Sequence, residues 1–267
     1  MSENAADNWD LKGRTAVVTG SSSGIGRAIA LRLAAAGASV LVHARKNMPA
    51  AEVTAAEIRA LGVDAHILQA DLADEQQRQR LVHEAFEWGE AIDIWINNAG
   101  ADVLTGDAAD WSFEQKLERL WQVDVTATMQ LSRIVGEKMK LAGRGVILNM
   151  GWDQAEQGMA GDSGEMFGAI KGAIMAFSRS LAQSLAPDVR VNCIAPGWIR
   201  TAWGDQASDY WNDRAVGESL VGRWGTPEDV AAMAYFLASD AASFVSGQIM
   251  PVNGGFRTGA VRASDSR

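Results

Sequence analysis

A short β-branched run, Thr15-Ala16-Val17-Val18-Thr19, leads straight into Gly20-Ser21-Ser22-Ser23-Gly24-Ile25-Gly26, and an apolar stripe at helical spacing follows: Ile25, Ala28, Ile29 and Leu33. Strand, tight glycine turn and helix in that order leave few choices of fold. The alternation then continues. Ala38 to Ala44 reads as strand, Ala50 to Leu61 as helix stopped by Gly62, Ala65 to Gln69 as strand, and Asp74 to Trp88 as helix. Ile92 to Ile96 and Val146 to Met150 are further strands, separated by Trp111 to Ala142, long enough for one or two helices. Met166 to Ala186 forms the next helix, with Ile170, Ile174, Phe177, Leu181 and Leu185 along one stripe before Pro187 ends it. Strands written as continuous apolar runs are buried on both faces, which requires a parallel sheet covered by helices on each side. The expected fold is α/β: a single doubly wound parallel sheet of the Rossmann, dinucleotide-binding type.

Composition narrows the function classes. With 267 residues and 48% hydrophobic side chains, one domain over about residues 11–256 accounts for the core, with 1–10 and 257–267 expected to be loose. No apolar run approaches the ~20 residues of a membrane span, and Met1 to Asp10 is polar and acidic rather than a leader, so a cytoplasmic protein is expected. The formal charge of −9 argues against a nucleic-acid partner, whose backbone needs a basic face. Cys193 is alone and lies in the strand-like Val191-Asn192-Cys193-Ile194-Ala195, so neither a disulfide nor a reactive thiol is expected. The three histidines, His43, His66 and His83, lie in the first third of the chain, away from the expected substrate end, so no metal site or histidine base is anticipated.

The glycine loop carries the first chemical signal. Its glycines let backbone approach a pyrophosphate while the helix N-terminus presents free N–H groups and partial positive charge. This TGxxxGxG spacing between strand and helix resembles the cofactor loop of the short-chain dehydrogenase/reductase family, and the likeness extends over about residues 11–256. Asp71-Leu72 falls where the family contacts adenine, and Asn97-Asn98-Ala99-Gly100 corresponds to its NNAG segment. Pro196-Gly197-Trp198-Ile199-Arg200-Thr201 resembles the PGxxxT stretch that holds the nicotinamide. The resemblance implies a cofactor site formed by Gly20, Ser22, Ser23, Gly24, Ile25, Gly26, Asp71, Leu72, Asn98, Ala99, Gly100, Lys171, Pro196, Gly197, Ile199 and Thr201. It also implies a substrate lid over about 198–222 and a homotetramer or homodimer, with the Gln115 to Ala142 and Met166 to Ala186 helices at one interface and the C-terminal strand at another.

Cofactor choice is read from the end of the second strand. NAD enzymes place an acid there, against the ribose 2′-hydroxyl. This chain has His43-Ala44-Arg45-Lys46 and no carboxylate before Glu52; a guanidinium at Arg45 suits a 2′-phosphate, so NADP(H) is expected over NAD(H).

At the catalytic positions the resemblance breaks. The family's Asn, Ser, Tyr and Lys correspond to Asp124, Trp152 (or Gly151 if the register slips by one), Phe167 and Lys171, so only the lysine remains. Lys171, four residues after Phe167 on the same helical face, keeps its reach to the ribose hydroxyls. Loss of a general acid costs on the order of 10²–10⁴ in rate. Asp124, if buried beside Lys171, forms an ion pair with it. Replacement donors are sought among Asp153, Glu156, Asp162, Ser163 and Glu165, and at Tyr210 on the lid. Of the ten tryptophans, Trp111, Trp121, Trp152, Trp198, Trp203 and Trp211 are expected around the pocket; with Phe167 and Tyr210, Trp152, Trp198 and Trp203 form the candidate substrate-binding set for an aromatic or conjugated ligand.

Three functions stay open at this stage. One is an oxidoreductase that moves hydride to or from an activated conjugated molecule without the tyrosine, as dienoyl-CoA reductases of the family also do. The second is a nucleotide-binding protein that does no chemistry, a sensor or partner subunit. The third is a redox-neutral isomerase or lyase; the intact glycine loop weighs against it.

Overall fold

The structure is a computed structural model and describes residues 7–89, 91–202 and 204–257. Seven strands make one parallel sheet in the order β3-β2-β1-β4-β5-β6-β7. They are β1 (Thr15–Val18), β2 (Ser39–Ala44), β3 (Ala65–Gln69), β4 (Ile94–Asn97), β5 (Gly145–Met150), β6 (Val189–Pro196) and β7 (Ile249–Val252). The order reverses between β1 and β4, and in doubly wound sheets the crevice at such a switch point, beyond the carboxyl ends of the strands, is where ligands bind.

Side-chain alternation along the strands builds both layers. Ala16 and Val18 of β1 face α1 (Gly24–Ala35), α2 (Met48–Ala60) and α9 (Pro227–Ala238), while Val17 between them faces α3 (Glu75–Trp88), α5 (Ala127–Leu141) and α7 (Asp162–Leu185). Leu41, Trp95, Ile147 and Val191 repeat the second orientation on neighbouring strands. Each fully buried side chain of this size contributes roughly 1.5–3 kcal/mol, which is why the strands read as unbroken apolar runs. One polar seam crosses this core: Asn97 Nδ2 donates to Asn149 Oδ1 and to Ser132 Oγ, both at 2.8 Å, and Asn149 Nδ2 donates to Ser178 Oγ at 2.9 Å. Fully satisfied, it ties β4 and β5 to α5 and α7 in one alignment.

Three local departures from expectation matter. The region read as one or two helices is α4 (Phe113–Leu120) and α5 joined without a break by a π-helical segment, Trp121–Thr126. The acid-rich stretch before Phe167 holds a short helix α6 (Gln154–Gln157), and α7 begins four residues earlier than read, at Asp162. Finally, the N-terminus is not loose as far as residue 10: Trp9 packs on Tyr235 and Phe236, and the Tyr235 hydroxyl donates to the Trp9 carbonyl at 2.6 Å. Residues 1–6 and 258–267 of the expected loose ends lie outside the described residues.

Candidate functional site

The turn after β1 and the segment after β4 are latched together. Thr19 Oγ1 accepts from the Asn98 and Ala99 amides, both at 3.0 Å, and Asn98 Nδ2 donates to the carbonyls of Thr19 (2.9 Å) and Gly20 (3.2 Å). Gly20 has φ +65°, and a Cβ on Gly26 would overlap the Gly20 carbonyl and the Asn98 amide nitrogen. Here glycine is demanded by space and conformation together. Asn98 therefore acts first as the clasp of the loop.

A second tie was not legible in the sequence. His43, fully buried at the end of β2, accepts the Gly20 N–H at Nδ1 (2.9 Å), and its Nε2 lies 3.0 Å from the Ala70 carbonyl; its own N–H donates to Ser21 Oγ at 3.0 Å. Accepting at Nδ1 and donating at Nε2 fixes a neutral ring. Burial pushes its pKa down from 6.5 to about 4, against a smaller opposing pull from Asp71. The sign follows: the unfolded chain takes up a proton below pH 6.5 and the folded chain only near 4, so this stabilisation is complete above 6.5 and lost as pH falls between those values. The full span amounts to about 3 kcal/mol. Thermal melts from pH 7 to 4 should show wild type losing stability more steeply than His43→Asn; parallel curves would dismiss the imidazole as the titrating group.

These ties shape a cavity of about 340 Å³ lined by Gly20, Ser22, Ser23, Arg45, Lys46, Asp71, Leu72, Asn98, Ala99 and Gly100. The N-cap of α1, Ser23, makes no side-chain cap bond and no acid stands in the first turn, whereas α3, α4 and α9 are capped by Asp74, Ser112 and Thr226. An uncapped N-terminus on a glycine loop, flanked by Arg45 and Lys46, is a fitting cradle for an anionic nucleotide. Asp71 is held at its edge by Arg119, 3.4 Å away.

A second cavity, about 390 Å³, opens past the ends of β5 and β6. Ile25, Asn98, Pro196, Gly197, Ile199 and Thr201 line one part; Leu104, Trp152, Met159, Ser163, Phe167, Trp198, Trp211 and Trp224 line the other, and Lys171 reaches it from α7. Trp152 meets Phe167 edge-to-face at 6.3 Å, and Trp198 meets Trp211 at 5.4 Å and Trp224 at 6.2 Å. Glu218 at the end of α8 (Asp209–Glu218) accepts from the Trp198 indole N–H at 2.7 Å and pairs with Arg214 at 2.6 Å, fixing the wall.

Lys171 Nζ lies 2.9 Å from Asp124 Oδ2, and Asp124 Oδ1 accepts the Ala101 N–H at 2.8 Å, so the expected ion pair forms. Asp124 is buried (2% side-chain exposure), while Lys171 retains 15% toward the cavity. The π-helical segment carries Asp124; such insertions concentrate at functional positions.

Other sequence expectations are corrected. Trp111 and Trp121 are exposed and line neither cavity, whereas Trp224, which the reading missed, does line the second. Tyr210 is 54% exposed, packed edge-to-face on Trp211, and outside the lining. Trp203 lies outside the described residues. Among the sought donors, Glu156 is at the surface against Arg179, Asp162 and Glu165 are exposed, and only Ser163 faces the cavity. Asp153 is buried with its pKa raised to about 6, chiefly by desolvation, but it sits behind Gly197 with Oδ2 on the Asn253 amide at 3.1 Å. Glu156, Asp162 and Glu165 miss the cavity because α6 and the first turn of α7 turn them outward.

Residues 20–257 match the family model described as enoyl-(acyl carrier protein) reductase. The chain is 33% identical over 251 residues to the 3-oxoacyl-[acyl-carrier-protein] reductase of Aquifex aeolicus, covering 92% of this chain and 98% of that protein. It is 36% identical to the cyclohexanol dehydrogenase of a Rhodococcus species, over 93% of this chain and 98% of that one. This chain is a short-chain dehydrogenase/reductase. Among solved structures of this family, a 7α-hydroxysteroid dehydrogenase complexed with NADH and 7-oxo glycochenodeoxycholic acid superposes with a TM-score of 0.87 at 33% identity, over 95% of this chain and 98% of that chain. A 3-oxoacyl (acyl-carrier-protein) reductase from Agrobacterium tumefaciens with NADP bound gives 0.85 at 30% identity, over 96% of this chain and 98% of that one. Membership makes the protein an oxidoreductase of this type. No helix among the described residues is long and apolar enough to cross a membrane.

Proposed function

We propose that the protein is an NADP(H)-dependent oxidoreductase that passes hydride to or from an activated, conjugated or aromatic small molecule, with no tyrosine at the substrate oxygen. The cavity lining carries the reading. Where the family's serine and tyrosine would stand, Trp152 and Phe167 bring aromatic rings with no ionisable group, and Lys171 is the one ionisable residue lining the cavity among the described residues.

The nucleotide supplies the hydride when bound. Ser22, Ser23 and Ile25 at the start of α1 would hold its pyrophosphate, Asp71 and Leu72 its adenine, Lys171 its ribose, and Pro196 to Thr201 its nicotinamide. The preference for NADP(H) rests on Arg45 and Lys46 in the nucleotide cavity and on the absence of an acid at the end of β2. The NADP-bound reductase from A. tumefaciens supports it; the NADH-bound steroid dehydrogenase is the competing precedent. At Arg45, a forked charge-assisted pair with a 2′-phosphate would contribute about 1.5–3 kcal/mol, or roughly 10- to 100-fold in affinity.

With no phenol to protonate a simple ketone oxygen, the electrophile must be activated by its own conjugation. The matching family model, whose description names an enoyl reductase, is consistent with reduction of a conjugated alkene. Incubating the protein with NADPH and a panel of conjugated enones, iminium ions and quinones should show NADPH oxidation for at least one member and little for unactivated aliphatic ketones. Tight NADPH binding with no oxidation across the panel would replace this reading with a nucleotide-binding sensor.

A further inference from the structure

We propose that the aromatic cavity takes a neutral, planar, mainly hydrocarbon ligand bearing a single acceptor oxygen, and that the Ser163 hydroxyl holds that oxygen. This rests on the reading above that the cavity is the substrate site. Ser163, Phe167 and Lys171 stand at four-residue steps along α7, so they share one helical face, and all three line the cavity. Phe167 brings a ring without a donor; Ser163, one turn toward the helix N-terminus, brings a hydroxyl that no other side chain among the described residues engages. A serine hydroxyl donates one hydrogen bond and fits one acceptor.

Charge sets the class of ligand. Lys171 is neutralised by Asp124 Oδ2 at 2.9 Å, so an anionic ligand would have to compete with a buried carboxylate for it. A cationic ligand meets a different obstacle. Indole faces attract cations, but the Arg214 guanidinium already lies over Trp198 and Trp211, 5.5 Å from each ring centre, and the described residues of the lining offer no carboxylate to a second cation. A charge brought here would lose its water without replacement. Ring surface at Trp152 and Phe167, which meet edge-to-face in the lining, suits a flat partner.

The test uses the full chain, with and without saturating NADP⁺, titrated calorimetrically with four probes on one skeleton: 2-acetonaphthone, naphthalene, 2-naphthoate and a trimethylnaphthylammonium salt. The neutral ketone should bind about tenfold tighter than each of the others, the value of one net hydrogen bond. Ser163→Ala should cost the ketone about that tenfold, leave naphthalene unchanged, and be rescued by Ser163→Thr. Unchanged naphthalene affinity shows that the variant's cavity is intact. The proposal is overturned if a charged probe binds tightest, if Ser163→Ala spares the ketone, or if no probe binds. If the ketone binds as described but no electrophile consumes NADPH, the ligand assignment stands and hydride transfer falls.

Discussion

Gly26→Ala is expected to raise the Kd for NADPH by at least about 100-fold, close to 3 kcal/mol, in a fluorescence titration. The added methyl would enter the space of the Gly20 carbonyl and the Asn98 amide nitrogen, which belong to the clasp between β1 and β4. Neither neighbour is a flexible side-chain tip, since one is backbone and the other is fixed by two hydrogen bonds. Relief requires the loop to move, and the loop is the proposed cradle. Overpacking of this kind usually costs 1–3 kcal/mol in stability as well. Gly217→Ala on α8, where a Cβ meets open space, serves as the control and should leave the affinity unchanged. Equal affinities for the two variants would show that the loop tolerates a side chain and that its spacing is no constraint.

The second large effect is expected at Asp124. Asp124→Leu leaves the Lys171 ammonium facing an apolar neighbour and the Ala101 N–H without its acceptor. Breaking a buried pair by removing one partner costs roughly 3–5 kcal/mol; Lys171 keeps some solvent access, so a loss near about 3 is expected. For a domain of this size that is a fall in Tm of roughly 6–12 °C. Asp124→Asn keeps an acceptor for Ala101 and should fall between leucine and wild type. A leucine variant as stable as wild type would mean that the pair does not support the fold, and the role of Asp124 would then have to be sought in cofactor binding alone.

Much of this architecture is legible in the chain because two periodicities and one glycine spacing carry it. β3 was bounded to the residue, Ala65–Gln69, by an apolar run between a glycine turn and a capping aspartate. The shape of the glycine loop is legible because backbone geometry follows from where glycine and the helix start fall. The substrate side was less so. Near-helical apolar spacing across Trp121 to Thr126 does not distinguish an α turn from a π turn. Trp111 and Trp121 differ from Trp224 only in which neighbours cover them, and no local pattern encodes that. The acid-rich stretch from Asp153 to Glu165 has no apolar stripe that marks α6 or the first turn of α7, nor therefore the outward turn of Glu156, Asp162 and Glu165. His43 had a signal of a kind. A histidine one residue before a strand end that meets a glycine loop is placed to use both ring nitrogens, but only the parallel pairing of β1 with β2 shows what it meets.

The π-helical segment at Trp121–Thr126 joins two α-helices without a break. A π turn holds one residue more than the α turn beside it, so it is where a helix absorbs an inserted residue without unfolding. Deleting a single residue there would let α4 and α5 merge into one regular helix while the faces on either side keep nearly their present directions, because the extra residue is held within a single turn. Which residue of the turn was lost would decide whether a carboxylate still faced Lys171. Lineages of this fold could therefore gain or lose the carboxylate partner of Lys171 by a change of chain length as readily as by a change of side chain, an event that position-by-position comparison of residues would record as a gap.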